Sequence, residues 1–240
     1  MTDSYVSIDL ETTGLNPKID KIIEIGAVKV KNGIEQDTFS VLINPGRKLE
    51  ERICQLTGIR DQMLEDAPDI GAVFPKLLEF LEDLPLLGHK VLFDYSFLKK
   101  AAVDRKLTFE KEGIDTLKIA RRYLPELERK NLEFLCRHYE ITHQAHRALG
   151  DAYAAKALYE RLAQEFYRDG EGIFAPEKLN FQVKRDTPIT KAQKERLYRL
   201  LALHKIELDI CVDKMTRSEA DRTIDRILAN KPCKIPQIRV

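Results

Sequence analysis

Hydrophobic and polar positions alternate cleanly over residues 5–10. Val6, Ile8 and Leu10 face one way, Ser7 and Asp9 the other, and Glu11 continues the polar row. That period of two predicts a strand. Residues 21–31 are rich in Ile and Val, Asn32-Gly33 suits a two-residue hairpin turn, and residues 34–43 return as a third strand. The rhythm then becomes helical: Asp69 stands as a cap before Ile70, Val73, Phe74, Leu77, Leu78 and Leu81, a stripe of 3.6-residue period. Residues 85–93 have the apolar character of a buried strand, and Asp94 stands where it would cap a helix over 94–106. A short strand at 113–115 leads into helices over 116–123, 131–138 and 149–168.

The pattern loosens from Arg168 to Pro176, where two glycines and a proline mark a boundary. Beyond it, Thr190 with Gln193 and Thr216 with Glu219 each have capping-box spacing. The first opens a helix carrying Leu197, Leu200, Leu201 and His204; the second, one carrying Ala220, Thr223, Ile224, Ile227 and Leu228. The organisation expected is therefore a mixed α/β body over 1–168, a linker over 169–188 and a small basic helical module over 189–240.

Composition adds exclusions. The chain has 240 residues, 43% of them hydrophobic, yet no apolar run reaches the roughly 20 residues of a membrane helix. The N-terminus lacks the basic and apolar stretch of a secretory signal. Cys54, Cys136, Cys211 and Cys233 are widely separated, which fits reduced thiols in a cytoplasm and no zinc site. The net charge of +1, taken alone, speaks against a nucleic-acid binder. By segment it reads otherwise: residues 176–240 hold 15 basic and 9 acidic side chains, residues 1–175 hold 25 and 30, giving +6 and −5.

Asp9 and Glu11 leave one face of their strand, and adjacent carboxylates repel unless a cation or full hydration separates them. An isolated Asp-x-Glu is ordinarily an exposed strand end, but here the small residues of Thr12-Thr13-Gly14-Leu15 follow at once. Asp151 shares the inward stripe of Ala155, Leu158 and Leu162, where a carboxylate needs a partner, a proton or a metal. His146 precedes it in the loop. Clustered acidic oxygens suit Mg²⁺ or Mn²⁺ rather than zinc.

These residues lie in a familiar arrangement. Residues 7–15 with 22–28, residues 88–98 and residues 146–152 resemble, in order, the three exonuclease motifs of the DnaQ-like 3′–5′ exonucleases. The resemblance covers roughly residues 4 to 166 and falls in the DEDDh branch, because His146 stands five positions before Asp151 and Arg147 stands where the other branch has tyrosine. It implies a ribonuclease-H-like mixed five-stranded sheet flanked by helices. It also implies two divalent cations held by Asp9, Glu11, Asp94 and Asp151, with Asp9 bridging them and Asp94 acting partly through water. His146 becomes the general base for the attacking water.

By the same resemblance, Thr12, Thr13, Gly14 and Leu15 would hold the terminal nucleotide, and Thr57 and Ile59 belong to a loop lining its pocket. Lys90 stands where the family usually has Asn, so its role as a substrate contact departs from the pattern. His143 is read as a surface residue. The expected function is 3′–5′ exonuclease action on DNA, with a single strand bearing a free 3′ end as partner and nucleoside 5′-monophosphates as products. A DNA polymerase or other replication or repair protein is a partner this reading admits; a membrane is not. An exoribonuclease of the same mechanism is the first alternative, and an RNase-H-like binding module without catalysis the second. The basic helices either draw strands in or pack against protein.

Overall fold

The structure, a computed structural model, describes residues 1–143, 147–168, 172–208 and 211–229. Three strands open the chain as a meander: β1 (Tyr5–Thr12), β2 (Ile22–Lys31) and β3 (Ile34–Leu42), antiparallel throughout. Asn32 and Gly33 both take positive φ (54° and 73°), the backbone a two-residue turn between right-twisted strands requires. Two short helices follow, α1 (Glu51–Thr57) and α2 (Asp61–Leu64), which the hydrophobic pattern does not announce. They exist to cover Ile23: Leu49, Ile53, Ile59 and Leu64 form a small cluster around it.

The long helix α3 (Ile70–Leu81) starts where its cap demands, with the Asp69 carboxylate accepting from Gly71 N (2.5 Å) and Ala72 N (3.1 Å). The expected strand over 85–93 is shorter. β4 (Leu86–Gly88) ends at a turn, and α4 (Leu92–Asp104) begins inside the apolar run. Val91 and Phe93 pack in or against the core from turn and helix, a burial that hydrophobicity alone cannot distinguish from a strand's. Asp94 is consequently not the cap but lies within the first helical turn.

β5 (Glu112–Asp115), α5 (Thr116–Tyr123), α6 (Leu132–His138) and α7 (Ala148–Phe166) complete the body in the order expected. A two-residue strand, β6 (Glu177–Lys178), then pairs antiparallel with β5. The described residues thus form a mixed six-stranded sheet, order β3-β2-β1-β4-β5-β6, with β1, β4 and β5 parallel to one another. This is one strand more than the five expected, and it comes from the segment read as linker. Its residues carry no strand pattern; Leu179, packed where a side chain on Gly113 would otherwise stand, is what seats it.

Helices cover both faces of the sheet. Val6, Ile8 and Leu10 pack with Phe74 and Leu77 of α3 and with Tyr95 and Leu98 of α4. On the other face, Tyr5, Val28, Val30 and Leu87 meet Ala155, Leu158 and Leu162 of α7. Ser7, on that second face, donates to the Ala152 carbonyl at 2.7 Å, tying β1 to α7 inside the core.

The chain divides into two compact units, residues 1–45 with 49–183, and residues 46–48 with 184–240. In the second, α8 (Lys191–His204) and α9 (Arg217–Leu228) both begin with complete capping boxes. They enclose Leu197, Met215, Ala220, Ile224 and Ile227. No helix among the described residues is long and apolar enough to cross a membrane.

Gly26 decides how closely α7 lies on the sheet, because a Cβ there would overlap the backbone of Ala148 and Leu149. Gly26→Ala should destabilise the protein by about 3 kcal/mol, the upper end of overpacking costs. Urea unfolding checks this, and a midpoint equal to wild type would show that α7 can move off β2 without loss.

Candidate active site

β1 brings Asp9 and Glu11 out on the α7 face, and α7 returns Asp151 to meet them from its first turn. One carboxylate oxygen from each of Asp9, Glu11 and Asp151 lies within 4.8 Å of the others, the one such set of potential ligands among the described residues. Asp94 is tied in from α4: its Oδ1 accepts from Leu10 N at 3.1 Å, between the two β1 carboxylates. It is buried and close enough to Asp9 to raise that carboxyl, though it stands outside the three-carboxylate set. His146, read as the general base, lies outside the described residues.

The electrostatics follow from crowding. Burial first, then the carboxylates of Asp94, Asp151, Glu11 and Glu24, push Asp9 well above the usual range. Burial, Asp151 and Glu24 push Glu11 up to about 7 against the opposing charge of Arg147. Asp94 is raised chiefly by burial, although backbone N–H donors, Leu10 among them, counter it. Crowded, partly buried acids held at such cost to ionisation fit a hard divalent cation, whose charge would invert this balance and whose preference is for oxygen ligands.

His143 corrects the expectation of a surface residue. Its Nε2 lies 2.6 Å from Asp151 Oδ1, and its side chain is only 7% exposed. The His-x-x-His spacing before Asp151 was the available signal; what hid its meaning is that spacing in a loop does not say which side chain meets the carboxylate. Glu24 was also missed as more than a motif letter. It is directly opposite Glu11 in the β1–β2 ladder, buried, and bound to Arg147 and to Ala148 N.

The turn after β1 is held from within. Thr12 Oγ1 donates to the Gly14 carbonyl at 2.6 Å, Thr13 Oγ1 to Asp20 Oδ1 at 3.3 Å, and Asn16 N to Asp20 Oδ2 at 3.0 Å. Gly14 is needed because a Cβ would overlap the Asp20 carboxylate. With both threonine side chains engaged and buried, Leu15, 83% exposed, is the side chain this turn presents outward. Thr57 and Ile59 do not present theirs. Thr57 is buried with its hydroxyl donating to the Ile53 carbonyl, and Ile59 is fully enclosed.

Lys90 takes φ of +78°, and its amide donates to Asp115 Oδ1 at 2.9 Å, with its ammonium over the Phe93 ring. Asn tolerates that left-handed backbone better than Lys, which is reason enough for an Asn preference there. His89 is structural: Nδ1 pairs with Thr116 Oγ1 at 2.8 Å and Nε2 donates to the Lys130 carbonyl at 2.7 Å. Burial holds its imidazole below the usual range.

Comparison with known proteins adds an independent line. Residues 6–159 match the RNase T family, described as Exonuclease. A PolC-type DNA polymerase III of Clostridium perfringens is 40% identical over 157 residues, 65% of this chain and 11% of that protein. The DNA polymerase III subunit epsilon of Aquifex aeolicus is 36% identical over 166 residues, 68% of this chain and 82% of that subunit. Across the PolC-type relatives the chain spans between 11% and 18% of their length. Exonuclease X, solved in complex with 5′ overhanging duplex DNA, superimposes with a TM-score of 0.56 at 27% identity, over 67% of this chain and 92% of that one.

The raised carboxyls have a consequence for stability. Without metal, the folded protein binds protons that the unfolded chain has already released, so stability should fall as pH rises from about 4.5 to about 7 through Glu11. Asp9→Asn removes one repelling charge. At pH 8 in chelator it should melt above wild type by on the order of 1 kcal/mol, roughly 2–4 °C, an advantage that shrinks at pH 5 and reverses in excess Mg²⁺. Scanning calorimetry with and without metal checks all three; equal melting at pH 8 would mean the carboxylates do not strain the fold.

Proposed function

The chain belongs to the RNase T family of exonucleases, and from that membership we propose that it removes nucleotides from the 3′ end of DNA by metal-dependent hydrolysis. The observation that carries the reading is the convergence of Asp9, Glu11 and Asp151 oxygens within 4.8 Å, with Asp94 hydrogen-bonded to β1 beside them. DNA as the substrate is supported by the DNA polymerase III relatives and by the DNA-bound exonuclease X.

Asp9, Glu11, Asp94 and Asp151 are the carboxylates that would hold the Mg²⁺ or Mn²⁺ ions. Bound there, the two cations supply Lewis-acid charge to the attacking water, the scissile phosphate and the leaving oxygen. His146 accepts the proton of the attacking water, a task matched to a side chain that titrates near neutrality. Leu15 stacks its exposed side chain against the terminal base, and the Thr12–Leu15 backbone, stiffened by Asp20, receives the sugar. The product is a nucleoside 5′-monophosphate. The polymerase relatives favour a DNA polymerase as protein partner and the cytoplasm, with its reduced thiols, as setting.

Digestion of 5′-labelled single-stranded DNA, mispaired duplex DNA, RNA and a short oligoribonucleotide tests the reading. With Mg²⁺ or Mn²⁺, 3′ shortening of the DNA substrates is expected in preference to RNA. Asp9→Ala and Asp151→Ala should abolish cleavage with the fold intact by circular dichroism. His146→Ala should lower turnover by about 10²–10⁴. Near-full metal-dependent cleavage by either alanine variant would remove the assignment, and preference for RNA would move it to an exoribonuclease.

A further inference from the structure

Glu24 is a buried carboxylate that the proposed chemistry does not use. Its side chain is 2% exposed, and it sits on the α7 face of the sheet because residues directly opposite in an antiparallel ladder share a face, here with Glu11. A third acid next to Glu11 adds repulsion to a crowded site unless something answers its charge. Arg147 does so with two nitrogens: Nη2 donates to Glu24 Oε1 at 2.7 Å, and Nε reaches Oε1 and Oε2 at 3.1 and 3.3 Å. Glu24 Oε2 also accepts from Ala148 N at 3.1 Å.

Those partners are the start of α7. Arg147 is the N-cap residue and its side chain cannot accept a hydrogen bond, so the helix has no cap of its own. Glu24 supplies the missing acceptor from the neighbouring strand, with its negative charge at the positive end of the helix. Two residues along β2 and on the same face, Gly26 leaves the space into which Ala148 and Leu149 settle. The chain of contacts then runs directly to the site, since Asp151 N donates to the Arg147 carbonyl at 3.0 Å.

We propose that Glu24 and Arg147 form a positioning clamp: they fix the first turn of α7 on β2, and so set the Asp151 carboxylate at the distance from Asp9 and Glu11 that a small divalent cation requires. Glu24 is a positioning residue and not a ligand, because both its oxygens are already occupied by Arg147 and Ala148. The inference rests on the metal-dependent reading of the site. Mg²⁺ tolerates little departure from its short oxygen distances, so a helix start displaced by a fraction of an ångström weakens binding even with all the acids present.

Arg147 makes the idea testable, because charge and position predict opposite signs. Taken as a charge alone, Arg147→Gln removes a cation beside the acids and should tighten Mn²⁺ binding. As half of a clamp, its loss should weaken Mn²⁺ binding about tenfold, the lower range for losing a group that orients a ligand. The measurement is calorimetric titration of the full chain with Mn²⁺ for wild type, Arg147→Gln and Glu24→Gln, together with hydrogen exchange at Ala148 and kcat and KM on single-stranded DNA. The arginine side chain is partly exposed, so its variant retains the core if Glu24→Gln does not fold. Expected are weaker Mn²⁺ binding in Arg147→Gln, faster exchange at Ala148, and a fall in kcat with KM little changed.

Equal or tighter Mn²⁺ binding by Arg147→Gln overturns the clamp, even if the variant melts lower. If wild type binds Mn²⁺ and the variant binds it more weakly, but wild type cleaves none of the strands, the clamp stands and the nuclease reading falls.

Discussion

The site depends on keeping like charges together. Asp9, Glu11 and Asp151 present oxygens within 4.8 Å of one another, Asp94 is buried beside them, and Glu24 adds a fifth carboxylate opposite Glu11. Such an arrangement opposes folding unless the scaffold is stiff enough to hold it and something answers the charge. The scaffold does so by packing. β1 is sandwiched between α3 and α4 on one side and α7 on the other, and the hydrogen bond from Ser7 to Ala152 joins strand to helix within the core. Each acid is mounted on an element that cannot move alone.

Local networks serve the same end around the rim. The turn after β1 closes on Asp20, so its threonines are spent on internal hydrogen bonds and Leu15 is the large apolar side chain that reaches outward. The turn after β4 is pinned by Lys90 N to Asp115 and by both nitrogens of His89. These loops are preorganised: their polar groups find partners before any ligand arrives, which lowers the entropy lost when one binds.

Charge is distributed to match. The acidic excess belongs to the body that carries the carboxylates, and the basic excess to the final quarter of the chain. A net charge of +1 describes neither. In the second unit the capping boxes at Thr190 and Thr216 define the starts of two helices that share a small apolar interior.

Where a residue's partners are close in the chain, the sequence was sufficient. The alternation at residues 5–10, the Asn32-Gly33 turn, the Asp69 cap and both capping boxes are local rules, and the elements follow them. The motifs likewise identified the family and put Asp9 and Glu11 on one face. Three-dimensional packing decided the rest. Val91 and Phe93 are apolar as a strand would be, yet occupy a turn and a helix, because burial does not specify backbone. β6 is seated by a distant contact, Leu179 in the space beside Gly113. Thr57 turns inward onto the Ile53 carbonyl, and Ile59 packs into the cluster around Ile23. His143 turns inward to meet Asp151, and Glu24 meets Arg147 123 positions along the chain. The sequence determined which chemical groups are present and which short segments carry them. Which groups face each other was left to tertiary structure, since that depends on distances set by packing between elements remote in sequence.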